Sequence, residues 1–219
     1  VCETGSSLHA HQLIIPGSMI VLGTWGVYNG WLKQVCSDVR QEMNLLSDGR
    51  HIGIDDYGRY VPVASLVALS LAGVKGKHRW RETLALTATA CTAMGIMAQG
   101  LKHTVREPRP DSGTRNSFPS GHSATAFMGA ELMRMEYGTA AGIGAYGVAT
   151  GIAFLRLYND RHWLNDVVAG AGVGILSARI ASWLLPLERS LLGWQGDTEL
   201  VLAPVVHSQG AGLLLAVTF

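Results

Sequence analysis

Two short histidine-bearing segments carry most of the chemistry available to this chain. Phe118-Pro119-Ser120-Gly121-His122 opens an apolar run, and the segment 156–166 begins with Arg156 and places His162 four residues before Asp166. Both follow a basic run, 102–110, that contains Lys102 and Arg109. Arginine forks match phosphate oxygens bidentately, and lysine adds a compact point charge. Three such cations suit a dianion. Gly121 lets the backbone approach a ligand, free N–H groups at a helix start point at phosphate oxygens, and Ser120 adds a hydroxyl donor. His162 and Asp166 share one face of a helix, where the carboxylate holds the imidazole's tautomer. The reading is a phosphate-handling site.

Other chemistries fit parts of the same set. Two histidines and Asp166 can hold a divalent metal, although three neighbouring cations would repel it. Ser120, His162 and Asp166 can form a serine triad, which leaves the arginines without a task. A membrane scaffold or permease-like protein that only binds phosphate needs neither histidine as an acid or a nucleophile.

The elements that must position these residues are apolar and sparsely charged. Charged residues make up 15% of the 219, against about 25% in soluble domains. Uncharged stretches at 13–32, 83–101 and 138–155 run for 20, 19 and 18 residues, long enough for helices that cross a hydrocarbon core. Residues 60–74 are apolar but short for a span, the helix starting near Ser120 ends at about residue 137, and 166–187 forms a sixth span. Arg179 interrupts that span and is expected to face the bundle interior or the interface. Glu131, Arg134 and Glu136 make the far end of the fourth span wet or paired, and they favour a soluble alternative. The connection 33–59 reads as an amphipathic interfacial helix followed by a loop, with a plain solvated helix equally compatible.

Span alternation carries the motifs to the face opposite the basic loop 75–82, which marks the cytoplasmic side. The motifs therefore face away from the cytoplasm. The expected organisation is a polar segment over 1–12, a helical domain over 13–187 and a tail over 188–219 that can form a hairpin, with strands at 198–206 and 211–219. Cys2, Cys36 and Cys91 show no metal-like spacing. The net charge of +1 argues for no nucleic-acid partner. Val1 at the start fits a trimmed or processed chain.

Taken jointly, Lys102, six residues, Arg109-Pro110, then Pro119-Ser120-Gly121-His122, then Arg156, five residues, His162, three residues, Asp166 resemble the three-part signature of the type 2 phosphatidic acid phosphatase (PAP2) superfamily. That superfamily holds membrane lipid phosphatases, soluble bacterial acid phosphatases and vanadium haloperoxidases. The likeness extends over about 13–187, and the wording at Ile54-Asp55-Asp56-Tyr57 and at 166–171 is similar to Bacteroidetes-type members. One departure is Leu155, where the family carries a serine before the arginine.

The resemblance implies an all-α, six-helix transmembrane bundle. His162 would attack phosphorus to give a phosphohistidine, Asp166 would orient it, and His122 would protonate the leaving oxygen. Lys102, Arg109, Arg156, Ser120 and the Gly121 backbone would hold the phosphate, with no metal or cofactor. The expected activity is hydrolysis of a lipid phosphate or pyrophosphate at the periplasmic face of a bacterial inner membrane. A soluble periplasmic acid phosphatase with the same site is the alternative, and a vanadium haloperoxidase is more remote.

Overall fold

A computed structural model describes residues 11–194 together with the strands 199–207 and 210–218. Among these residues the helices are α1 (His11–Tyr28), α2 (Gly30–Ser47), α3 (Asp55–Gly58), α4 (Val61–Leu71), α5 (Trp80–Val105), α6 (Gly121–Tyr158) and α7 (Leu164–Leu191). Two compact units divide the chain, 1–183 and 184–219. In the second, β1 (Glu199–His207) pairs antiparallel with β2 (Gly210–Thr218), in a register that sets Glu199 opposite Thr218 and Pro204 opposite Leu213. The hairpin lies within one residue of the strands anticipated at 198–206 and 211–219.

The expected fourth and fifth spans appear as one long helix, α6, broken where Gly138 adopts φ 86. Glycine tolerates that conformation because it lacks a Cβ. The break separates 121–137 from 139–158, so each half crosses the bundle in the opposite sense. The second span is short, as its sequence indicated. α4 has 11 residues, about 17 Å at 1.5 Å per residue, too short to cross alone. The four-residue α3 precedes it, Pro62, Leu66 and Ser70 are buried, and both helices pack on α6.

Helices α5, α6 and α7 are each long and apolar enough to cross a membrane. Large apolar side chains point outward from α1, α5 and the second half of α6, including Ile15, Val21, Ile96 and Ile143, each at least 65% exposed. A face of this kind belongs in lipid rather than water. The charges that favoured a soluble protein turn inward. Glu131 is bound by Arg134, Tyr146 and Arg179, and Glu136 takes hydrogen bonds from the His78 backbone and ring. Arg179 faces the bundle interior, as one of its two expected placements required.

Pairings across the chain define two ends of the bundle. Lys77 N–H donates to the Glu136 carbonyl at 3.1 Å, so the basic loop meets the turn of α6. At the other end Asp55 and Asp56 of α3 meet Arg156 and His122. Beneath that second end lies an apolar cluster of Val27, Phe118 and Ala169, with Leu101 and Val105 against it. α7 approaches the start of α6 closely, since a Cβ on Gly170 would come within 2.5 Å of the Ser120 carbonyl oxygen. α2, largely exposed, lies at this end too, where Arg40 makes a two-pronged ion pair with Asp160 and stacks over Trp163.

Candidate active site

The basic run, the serine-glycine-histidine turn and the loop between α6 and α7 converge at one end of the bundle. α5 delivers Lys102 in its last turn, where a cation also complements the helix dipole. Lys102 Nζ donates to the carbonyls of Asn116 at 2.7 Å and Pro119 at 3.0 Å. Arg109 Nε donates to Asn116 Oδ1 at 2.7 Å, so one asparagine ties both cations to the loop before Phe118.

Ser120 is the N-cap of α6. Its Oγ accepts from Ser123 N at 3.4 Å and Ser123 Oγ at 3.1 Å, and it is buried. As placed, its oxygen serves the helix start, a task the motif alone did not reveal. Gly121 has open space where a Cβ would stand.

His162 is 4% exposed. Its Nδ1 lies 3.3 Å from Asp166 Oδ2 and 3.3 Å from Ser117 Oγ. Asp166 Oδ2 also accepts from Trp163 N at 2.9 Å and from Ser117 Oγ in a short hydrogen bond. Burial pushes the imidazole's pKa down, Asp166 pulls it the other way, and Arg156 and Arg109 push it further down. The ring is thereby kept neutral. With Nδ1–H turned to Asp166, Nε2 keeps its lone pair for an electrophile.

His122 sits elsewhere in the cluster, bound to different carboxylates. Its Nε2 is 3.1 Å from Asp56 Oδ1, and Arg59 Nη1 donates to its Nδ1 at 3.3 Å. The hydrogen bond from His122 is the main reason Asp56 lies below the usual carboxylate pKa range. Arg156 is buried in a short ion pair with Asp55, which takes a second hydrogen bond from Asn159 Nδ2 at 3.2 Å. The Nε atoms of Arg156 and Arg59 are buried donors without a partner among the described residues.

All eight motif residues therefore share this end, but sequence reasoning missed much of their support. Asp55, Asp56 and Arg59 lay in the polar connection 33–59, the two aspartates also as family wording, and Asn116 and Ser117 had no signal beyond closeness to the motifs. Glu107 was passed over inside the basic run. It is buried, and its Oε2 accepts from Asn165 Nδ2 at 2.9 Å. Burial, reinforced by the adjacent Asp166, pushes its carboxyl well above the ordinary range. A neutral Glu107 can donate to Asp166 Oδ1, which otherwise lacks a hydrogen-bond partner among the described residues.

The metal alternative named both histidines with Asp166. Among the described residues, the ligand atoms that approach within 4.8 Å belong instead to Asp55, Asp56 and His122. Arg156 already binds that pair of carboxylates and Arg59 binds the histidine, so the local charge opposes a cation. The serine triad also fits poorly, because Ser120 bonds within the helix cap while Ser117 is the hydroxyl beside His162.

A helical bundle of this topology, with these three motifs gathered at one end, defines a class of phosphate-processing membrane protein. The chain belongs to the PAP2 superfamily, whose profile matches residues 82–189. Among individual relatives, it is 36% identical over 141 residues to the lipid A 1-phosphatase of Porphyromonas gingivalis, covering 63% of this chain and 32% of that protein. The chain thus spans about a third of that curated relative's length. Its fold is similar to that of Aquifex aeolicus LpxE, with a TM-score of 0.51 and 22% identity over 64% of this chain and 92% of that one. It is also similar to the transmembrane PAP2-type phosphatidylglycerolphosphate phosphatase of Bacillus subtilis, with a TM-score of 0.61 and 15% identity over 86% of this chain and all of the other. The membrane reading of the exposed apolar faces agrees with that fold.

Proposed function

We propose that this protein hydrolyses the phosphate monoester of a membrane lipid through a phosphohistidine, at the periplasmic face of a bacterial inner membrane. The observation that carries the reading is the buried His162 backed by Asp166 and Ser117, with Arg109 and Arg156 in electrostatic reach. Nε2 of His162 attacks phosphorus, the bond to the lipid oxygen breaks, and His122 gives that oxygen its proton. Water then attacks the phosphohistidine as His122 takes the proton back, releasing inorganic phosphate and free His162. Lys102, Arg109, Arg156, the Ser120 hydroxyl and the Gly121 amide hold the phosphate oxygens through both displacements. Such chemistry depends mainly on in-line placement and charge stabilisation, and covalent catalysis splits it into two easier steps.

The orientation rests on the basic loop 75–82 lying at the opposite end of the bundle. The 36% identical relative, a lipid A 1-phosphatase, makes a phosphorylated glycolipid the favoured substrate. The test is phosphate release from lipid A, phosphatidylglycerol phosphate, phosphatidic acid and a prenyl pyrophosphate in mixed micelles. Lipid A is expected to turn over fastest, and a clear preference for another member of the panel overturns that assignment. His162→Ala should abolish release from every substrate while the protein stays folded. Wild-type turnover in that variant would remove the nucleophile assignment.

A further inference from the structure

One cavity is remote from the catalytic constellation. About 420 Å³ in volume, it is lined by Gln12, Pro16, Glu131, Arg134, Tyr146 and Arg179, together with the apolar Ile15 and Ile175. Glu131 lies ten residues into α6, about 15 Å from its start, and seven residues before the break at Gly138. The cavity therefore belongs to the end that carries the basic loop.

Among the described residues its charge does not balance. Glu131 is 1% exposed and accepts from Arg134 Nε at 2.7 Å and Nη2 at 3.0 Å and from Tyr146 Oη at 2.8 Å, while Arg179 Nε lies 2.5 Å from it in an ion pair and has no hydrogen-bond partner among the described residues. Among the described residues, no other carboxylate pairs with either arginine, so two guanidinium groups share one negative charge. A net positive charge inside a bundle at membrane depth is costly unless something compensates it. Gln12, Ile15 and Pro16 of α1 close one side of the space.

We propose that this cavity binds the phosphate of an anionic lipid headgroup drawn from the leaflet opposite the catalytic face. Basic pockets between transmembrane helices recognise such headgroups, and arginine suits a phosphate diester better than lysine does. Ile15 and Ile175 give the acyl chains an apolar wall. The neighbouring Lys75, Lys77, Arg79 and Arg81 favour anionic lipid at this end. The bound lipid would steady the junction of α1, α6 and α7 and take no part in catalysis.

The test is lipid retention by the detergent-purified full chain, measured by native mass spectrometry after exposure to equimolar phosphatidylglycerol and phosphatidylcholine. Wild type should retain one phosphatidylglycerol in preference. Arg179→Gln, which leaves Glu131 balanced by Arg134, should weaken that preference by roughly tenfold, the loss of one charge-assisted contact. Glu131→Gln, which removes the competing carboxylate, should strengthen it. Hydrolysis of a water-soluble phosphate ester by Arg179→Gln should stay at the wild-type rate, which separates this site from the catalytic one. Unchanged preference in both variants overturns the proposal. Displacement of the lipid by millimolar inorganic phosphate, with loss of that displacement in Arg179→Gln, would identify a site for free phosphate and overturn the lipid assignment.

Discussion

Asp55→Asn isolates what holds Arg156 in place. The pair is buried, with side-chain exposures of 6% for Arg156 and 0% for Asp55, and Asn159 occupies the second carboxylate oxygen. Asparagine keeps the shape and the Asn159 contact but leaves the guanidinium facing a neutral group. Removing one partner of a buried pair costs about 3–5 kcal/mol, because the remaining charge stays desolvated. For a chain of this size each kcal/mol moves Tm by about 2–4 °C, so the variant should melt roughly 6–20 °C lower. Orthovanadate should recover more Tm in the variant than in wild type, since an oxyanion restores the negative charge beside Arg156. Asp56→Asn is the internal control. Its side chain is 60% exposed and 3.8 Å from Arg156, so the variant should melt within about 1 kcal/mol of wild type. The assay is thermal unfolding in neutral detergent with and without vanadate. If Asp55→Asn melts like Asp56→Asn, the ion pair does not hold Arg156 and the reasoning fails.

Glu107→Gln should separate a neutral acid from an ionised one. A carboxyl whose folded pKa is raised takes up a proton on folding at neutral pH, so its contribution is full below the ordinary glutamate range and is lost as pH rises toward the raised value. Glutamine copies the protonated form, and the variant's Tm should gain on wild type steadily from pH 5 to pH 9. Parallel Tm curves for the two proteins would show that Glu107 is ionised. Ser117→Ala removes the short hydrogen bond to Asp166 and a neighbour of His162. It should lower kcat by about tenfold with little change in KM, the effect of about 1–2 kcal/mol of lost orientation, whereas a purely KM effect would place Ser117 outside the chemistry. Turnover should survive exhaustive chelation, and loss with rescue by a divalent ion would return the Asp55, Asp56 and His122 cluster to consideration.

Local pattern carried the sequence reading furthest where the structure is itself local. Uncharged runs mark α1, α5 and the second half of α6, and the expected boundary at residues 137 and 138 coincides with the break at Gly138. His162 and Asp166 do meet, but not on a shared helical face: His162 precedes α7 by two residues, and Asp166 in the first turn reaches back to it and to the Trp163 amide. Hydropathy over 60–74 likewise marked a second span that is short, and it appears as the 11-residue α4.

Partners far apart in sequence leave no periodic trace, and there the reading stopped. Arg156 looked like a free phosphate clamp, yet its carboxylate lies 101 residues earlier in Asp55. Glu107 stood among bases, where composition suggests an ordinary solvated acid, but Asp166, 59 residues further on, changes its protonation. Glu131 makes the same point most sharply. Hydropathy counts its charge as a cost wherever it occurs, and so it appeared to expose the end of a span. Its partners Tyr146 and Arg179 arrive only when α6 turns back and α7 packs beside it. A charge that argued against a membrane bundle is, once paired, part of its interior.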